Sequence, residues 1–102
     1  MQPLSLPAVP PSADGAEVPH VLNKALFHVV GDADPSLLPR VVGPVTKLGL
    51  VPCRLHASNE DGDGGQLTID LRLANVPQTS AERVEGALRS IVGVHQVIAV
   101  YE

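Results

Sequence analysis

Residues 66–73, QLTIDLRL, alternate polar and apolar side chains without a break. Leu67, Ile69, Leu71 and Leu73 fall on one side; Gln66, Thr68, Asp70 and Arg72 fall on the other. A period of two belongs to an extended strand with one face buried and one open. Antiparallel sheets with a single covered face are built from such strands. The rest of the chain must therefore supply a cover for the apolar side. With Phe27 and Tyr101 its only aromatic residues, that cover has to come from Val, Leu, Ile and Ala.

Other segments fit this frame. Lys24–Val30, KALFHVV, predicts a strand with Ala25, Phe27 and Val29 on one face and Leu26, His28 and Val30 on the other. Val51–Ser58 alternates too, with Val51, Cys53, Leu55 and Ala57 facing in, and Pro52 is tolerable only at an edge. The closing segment VHQVIAVY predicts a last, strongly apolar strand. Between the strands lie two helical patterns. Asp34-Pro35 is a helix start, with Leu38, Val41, Val45 and Leu48 as the stripe and Gly49 as the stop. Pro44 predicts a kink. Thr79 with Glu82 reads as a capping box opening the second helix, with Ser80 a rival cap. Its stripe is Val84, Ala87 or Leu88, and Ile91, with Glu85 and Arg89 paired and Gly93 ending it.

One motif suggests a metal. In NEDGDGGQLTID, residues 59–70, oxygen side chains stand at positions one, three and five, glycine at six and a carboxylate at twelve. That spacing approaches a calcium-binding EF-hand loop. EF-hand loops are held between helices, whereas strands flank this one, with Asp70 inside a strand. A hairpin turn is the better reading, and Glu60, Asp61 and Asp63 then keep the loop soluble.

Residues 1–19 hold five prolines and no lysine or arginine. They predict a disordered tail, leaving 20–102 as one small domain. A net charge of −4 and the scarcity of aromatics argue against nucleic acid. No apolar run is long enough to span a membrane. A single cysteine excludes an internal disulfide and fits a cytoplasmic protein.

Strand, helix, strand, strand, helix, strand is the order of an α+β ferredoxin-like sandwich, βαββαβ: a four-stranded antiparallel sheet with two helices on one face. Two segments carry a resemblance. DADPSLLPRVVGPVTKLGL and ALRSIVGVHQVIAVY resemble the ACT domain family, through Pro35, Leu38, Arg40, Val41, Gly49, Leu88, Ile91, Val94 and Val97. The second segment looks like the ending of small regulatory subunits of acetolactate synthase. Ser36 replaces the family's effector-binding glycine, and Ala33 and Val51 replace two asparagines of valine-sensitive subunits. The valine-insensitive type is the nearer likeness.

The resemblance implies a non-catalytic regulatory domain that binds a catalytic subunit of a biosynthetic enzyme and an amino-acid effector. The effector residues it implies are Asp32, Ala33, Asp34, Ser36, Leu37, Leu50 and Val51. Helix-start amides would take the effector's carboxylate, and Asp32 and Asp34 its ammonium. The alternative is a stand-alone interaction domain without a ligand. The residues themselves predict no enzyme, cofactor or metal. His20, His28, His56 and His95 lack ligand spacing. Cys53 reads as a buried thiol, and no nucleophile–base order or phosphate loop is present. The closing strand, apolar on both faces, predicts a homodimer, with the effector where the 31–37 loop of one chain meets the other chain.

Overall fold

The computed structural model describes residues 20–59 and 65–102. Six elements follow in order: β1 (Val21–Asp32), α1 (Leu37–Lys47), β2 (Arg54–Ser58), β3 (Gln66–Pro77), α2 (Gln78–Arg89) and β4 (Val94–Tyr101). The strands form one antiparallel sheet in the order β2-β3-β1-β4. β1 and β3 are central, so they carry the strictest alternation. Ala25, Phe27, Val29, Ile69, Leu71 and Leu73 are buried on the helix side with Val97 of β4. Leu37, Val41 and Val45 of α1, and Ala81, Val84 and Leu88 of α2, close the core from above. Phe27 and Tyr101 meet edge to face, with ring centroids 6.2 Å apart.

Five expectations need correction. The inner stripe of α1 begins at Leu37, which is fully buried, and Leu38 is only half-buried. The helix starts later than Asp34-Pro35 implies, because residues 35 and 36 form a turn first. β2 begins at Arg54, and Val51 is 84% exposed. Cys53 is exposed too, because β2 is an outer strand beyond the reach of the helices. The capping box does not form: Pro77 stands at the start of α2 with no side-chain cap, and Gln78 bonds the Glu82 carboxylate at 3.1 Å instead. Residues 60–64 and 1–19, on which the loop and tail readings fall, lie outside the described residues. Asp70 is on β3, hydrogen-bonded to His28.

α1 runs through Pro44 and ends in a closed turn. Gly49, at φ 72°, donates to the Thr46 carbonyl, and Leu50 donates back to Val45. This is a Schellman closure, which needs a left-handed residue that glycine adopts without a Cβ penalty. It folds Leu50 back against the core.

Candidate functional site

β1 ends beside the start of α1, and the register of β1 with β3 brings Asp32 opposite Gln66. The β1–α1 loop thus meets the chain on either side of the 60–64 segment. A cavity of about 330 Å³ forms there, lined by Ala33, Asp34, Pro35, Leu38, Asn59 and Leu67. Its walls are mostly apolar. Asp34 and Asn59 give it polar groups.

Asp34 is fixed from within its own turn. Its Oδ1 accepts the Ser36 N–H at 3.0 Å, and its carbonyl accepts the Leu37 N–H at 2.9 Å. The Ser36 N–H holds the Asp34 carboxyl below the usual carboxylate range; desolvation opposes this, and the Ser36 side chain and Arg40 reinforce it. The side chain is therefore an anion at neutral pH. The sequence placed an acceptor at this helix start, and the structure shows it serving the residue just ahead of the helix.

The seven residues implied for the effector do not converge. Ala33 and Asp34 line the cavity. Ser36 faces Arg40: its hydroxyl accepts from Nη2 at 3.1 Å and its carbonyl from Nε at 3.2 Å. Asp32 turns to β4, where its Oδ1 lies 2.6 Å from His95 Nε2. Leu37 is core, because its position on the helix turns it inward. Leu50 is the closing residue of the α1 turn. Val51 points to solvent, because β2 has not yet begun. Asn59 and Leu67 were missed. Only the strand register brings them to the loop, and no local pattern signals it.

Arg40 was also missed as a structural link. Its Nη1 donates to the Val92 carbonyl at 2.6 Å, so it ties the α1 start to the turn before β4. Asp32 N–H donates to the Gly93 carbonyl at 2.8 Å in the same place. This corner is well braced, and the cavity has a firm rim.

The cavity can hold an ammonium group at Asp34 and an aliphatic body against Leu38 and Leu67. Two imidazole–carboxylate pairs occur elsewhere, His28–Asp70 at 2.7 Å and His95–Asp32 at 2.6 Å. Neither imidazole has a hydroxyl or thiol hydrogen-bonded to it among the described residues. No cluster of three or more metal-binding side chains occurs among the described residues. No helix among them is long and apolar enough to cross a membrane.

No family model matches the chain, and no curated protein matches it significantly. Solved structures do. The ACT domain of GTP pyrophosphokinase from Chlorobium tepidum is 17% identical, over 79% of this chain and 100% of that one, with a TM-score of 0.65. The C-terminal domain of the MgtC protein from Mycobacterium tuberculosis is 16% identical, over 79% of this chain and 88% of that one, at 0.61. The regulatory subunit of aspartate kinase from Thermus flavus is 18% identical at 0.57, over 76% of this chain and 51% of that one. The chain therefore has the ACT-like, ferredoxin-type fold.

Proposed function

We propose that this chain is a non-catalytic regulatory domain of amino-acid metabolism that binds an enzyme partner and an amino-acid effector at the β1–α1 loop. The observation that carries the reading is Asp34, an ionised carboxylate on the rim of an apolar-walled cavity of about 330 Å³. An α-ammonium group fits that carboxylate, and an aliphatic side chain fits Leu38 and Leu67. The fold shared with the ACT domain of GTP pyrophosphokinase and with the regulatory subunit of aspartate kinase supports the same class of role.

One chain alone supplies half of such a site. The Ser36 and Leu37 amides are engaged by Asp34, so the effector's carboxylate needs donors from elsewhere. A second copy of the chain would bring them, and the site would then lie at a homodimer seam. β4 is an outer strand with one edge unpaired among the described residues, which suits backbone pairing with a symmetry mate. Such pairing would leave the helix-free face of the sheet open. The segment around Ile91–Val97 makes acetolactate synthase of the valine-insensitive type the first catalytic partner to try, in the cytoplasm.

Thermal shift of the full chain against each amino acid tests the site. At least one apolar amino acid is expected to raise the melting temperature, and Asp34→Asn is expected to abolish the rise. The second reading, an interaction domain with no ligand, is favoured by Ser36 standing where the family's effector-binding glycine would be and by Ala33 and Val51 standing where two asparagines would be. A flat response to every amino acid, with binding to the catalytic partner intact, would establish it.

A further inference from the structure

The sheet face away from the helices carries an ordered grid of side chains. Register places Arg54 of β2 opposite Arg72 of β3, Arg72 opposite Leu26 of β1, and Leu26 opposite Val100 of β4. One row across the sheet thus reads cation, cation, aliphatic, aliphatic. The next reads His56, Asp70, His28, Ile98. A trough of about 440 Å³ lies over this face, with Arg54 and Arg72 at one side and Ile98 and Val100 at the other.

The two ends have opposite needs. Like charges directly opposite on neighbouring strands repel. Neither the Arg54 nor the Arg72 guanidinium has a hydrogen bond or ion pair among the described residues, and Arg72 Nε is buried without an acceptor. A buried donor left unmet is destabilising. Asp70, the carboxylate that lines the trough, is held by His28. Two guanidinium groups against one carboxylate leave an excess of positive charge, in a chain whose net charge is −4. At the other side Ile98 and Val100 each remain 46% exposed.

The geometry points to this trough as a binding site for an amphiphilic oxyanion, a carboxylate or phosphate carried on a short aliphatic body. Guanidinium forks match both headgroups and take either in paired hydrogen bonds. The headgroup sits at Arg54 and Arg72, and the body lies over Leu26 and Val100. From β3 to β4 is two strand spacings, about 10 Å, which is the reach of about eight extended carbons. The trough shares no lining residue with the β1–α1 cavity, and the inference does not rest on the regulatory reading.

Calorimetric titration of the full chain with octanoate, octyl phosphate, octylamine and octanol tests it. Octanoate or octyl phosphate is expected to bind below about 1 mM, and the tighter of the two names the headgroup. Octylamine and octanol are expected not to bind. Arg72→Gln and Arg54→Gln are each expected to weaken binding about tenfold or more. Arg54 is exposed on an outer strand, so its substitution keeps the test alive should the Arg72 variant fold poorly. Binding of neither anion, equal binding of octylamine or octanol, or unchanged binding by Arg54→Gln overturns the proposal. So does a dimer that Val100→Asp splits while neither anion binds, which would assign the face to a second copy.

Discussion

Gly31 has no room for a methyl group. A Cβ there would stand 2.6 Å from the Gly93 carbonyl oxygen and 2.7 Å from Leu37 Cδ2. The oxygen is fixed by its bond from Asp32 N–H, so it cannot yield cheaply. Gly31→Ala is expected to destabilise the fold by about 1–3 kcal/mol. Gly86, inside α2, is the opposite case: nothing lies within 4 Å of its added Cβ. Gly86→Ala is expected to stabilise by about 0.5–1 kcal/mol, through helix propensity and a less free unfolded chain. Melting curves of both variants check the pair, and equal signs would contradict the packing described. Little of this was legible in the sequence. The two glycines look alike there, and only the approach of β4 to β1 tells them apart. The same holds for Arg40–Val92 and His95–Asp32, whose partners are 52 and 63 residues distant.

Elements were more legible than their boundaries. Alternation marks the cores of β1 and β3 because helices cover those strands along their length. It misled at Val51 and Cys53, which precede β2, and at Leu55 and Ala57 within it, since an outer strand can alternate with nothing above it. In α1 a shift of one residue exchanges Leu37 for Leu38, and a stripe of leucines and valines cannot fix its own phase. That one shift moves Leu37 from the implied effector set into the core. The Glu85–Arg89 pair was legible and forms at 2.8 Å. Its third member was not: Tyr101 of β4 donates its hydroxyl to Glu85, joining α2 to the sheet. The Tyr101 hydrogen bond, then Arg89, holds the Glu85 carboxyl below its ordinary 4.5, against desolvation. A lowered folded pKa gives stability that is present above the ordinary value and fades as pH falls through the folded one. Tyr101→Phe removes the larger cause. Its melting temperature is expected to fall less steeply than that of the native chain between about pH 5 and about pH 3. For Tyr101, desolvation and then Glu85 raise the phenol's pKa, so its contribution is lost only in strong base. An acid limb identical in both proteins would remove the assigned role of the Tyr101–Glu85 bond.

At the scale of the whole molecule, two expectations concern what lies beyond the single sheet. Removing residues 1–19 is expected to shift the melting temperature by less than the 4–8 °C that about 1 kcal/mol produces in a domain of this size. A larger loss would mean that the tail packs on the domain. Light scattering of the full chain at micromolar concentration is expected to give a dimer, and a clean monomer would remove the shared effector site along with it. The two ends of the folded unit are also neighbours. Glu102 donates to the Lys24 carbonyl at 2.8 Å, and Asn23 donates to the Glu102 carbonyl at 3.3 Å. Chain entry and exit therefore share one corner of the sheet, so the unit can be spliced into a host protein's loop without prising the host apart. The same closeness permits rewiring: a short linker from Glu102 to Val21, with new ends opened between Ser58 and Gly65, is expected to preserve the melting transition, because every strand keeps its neighbours.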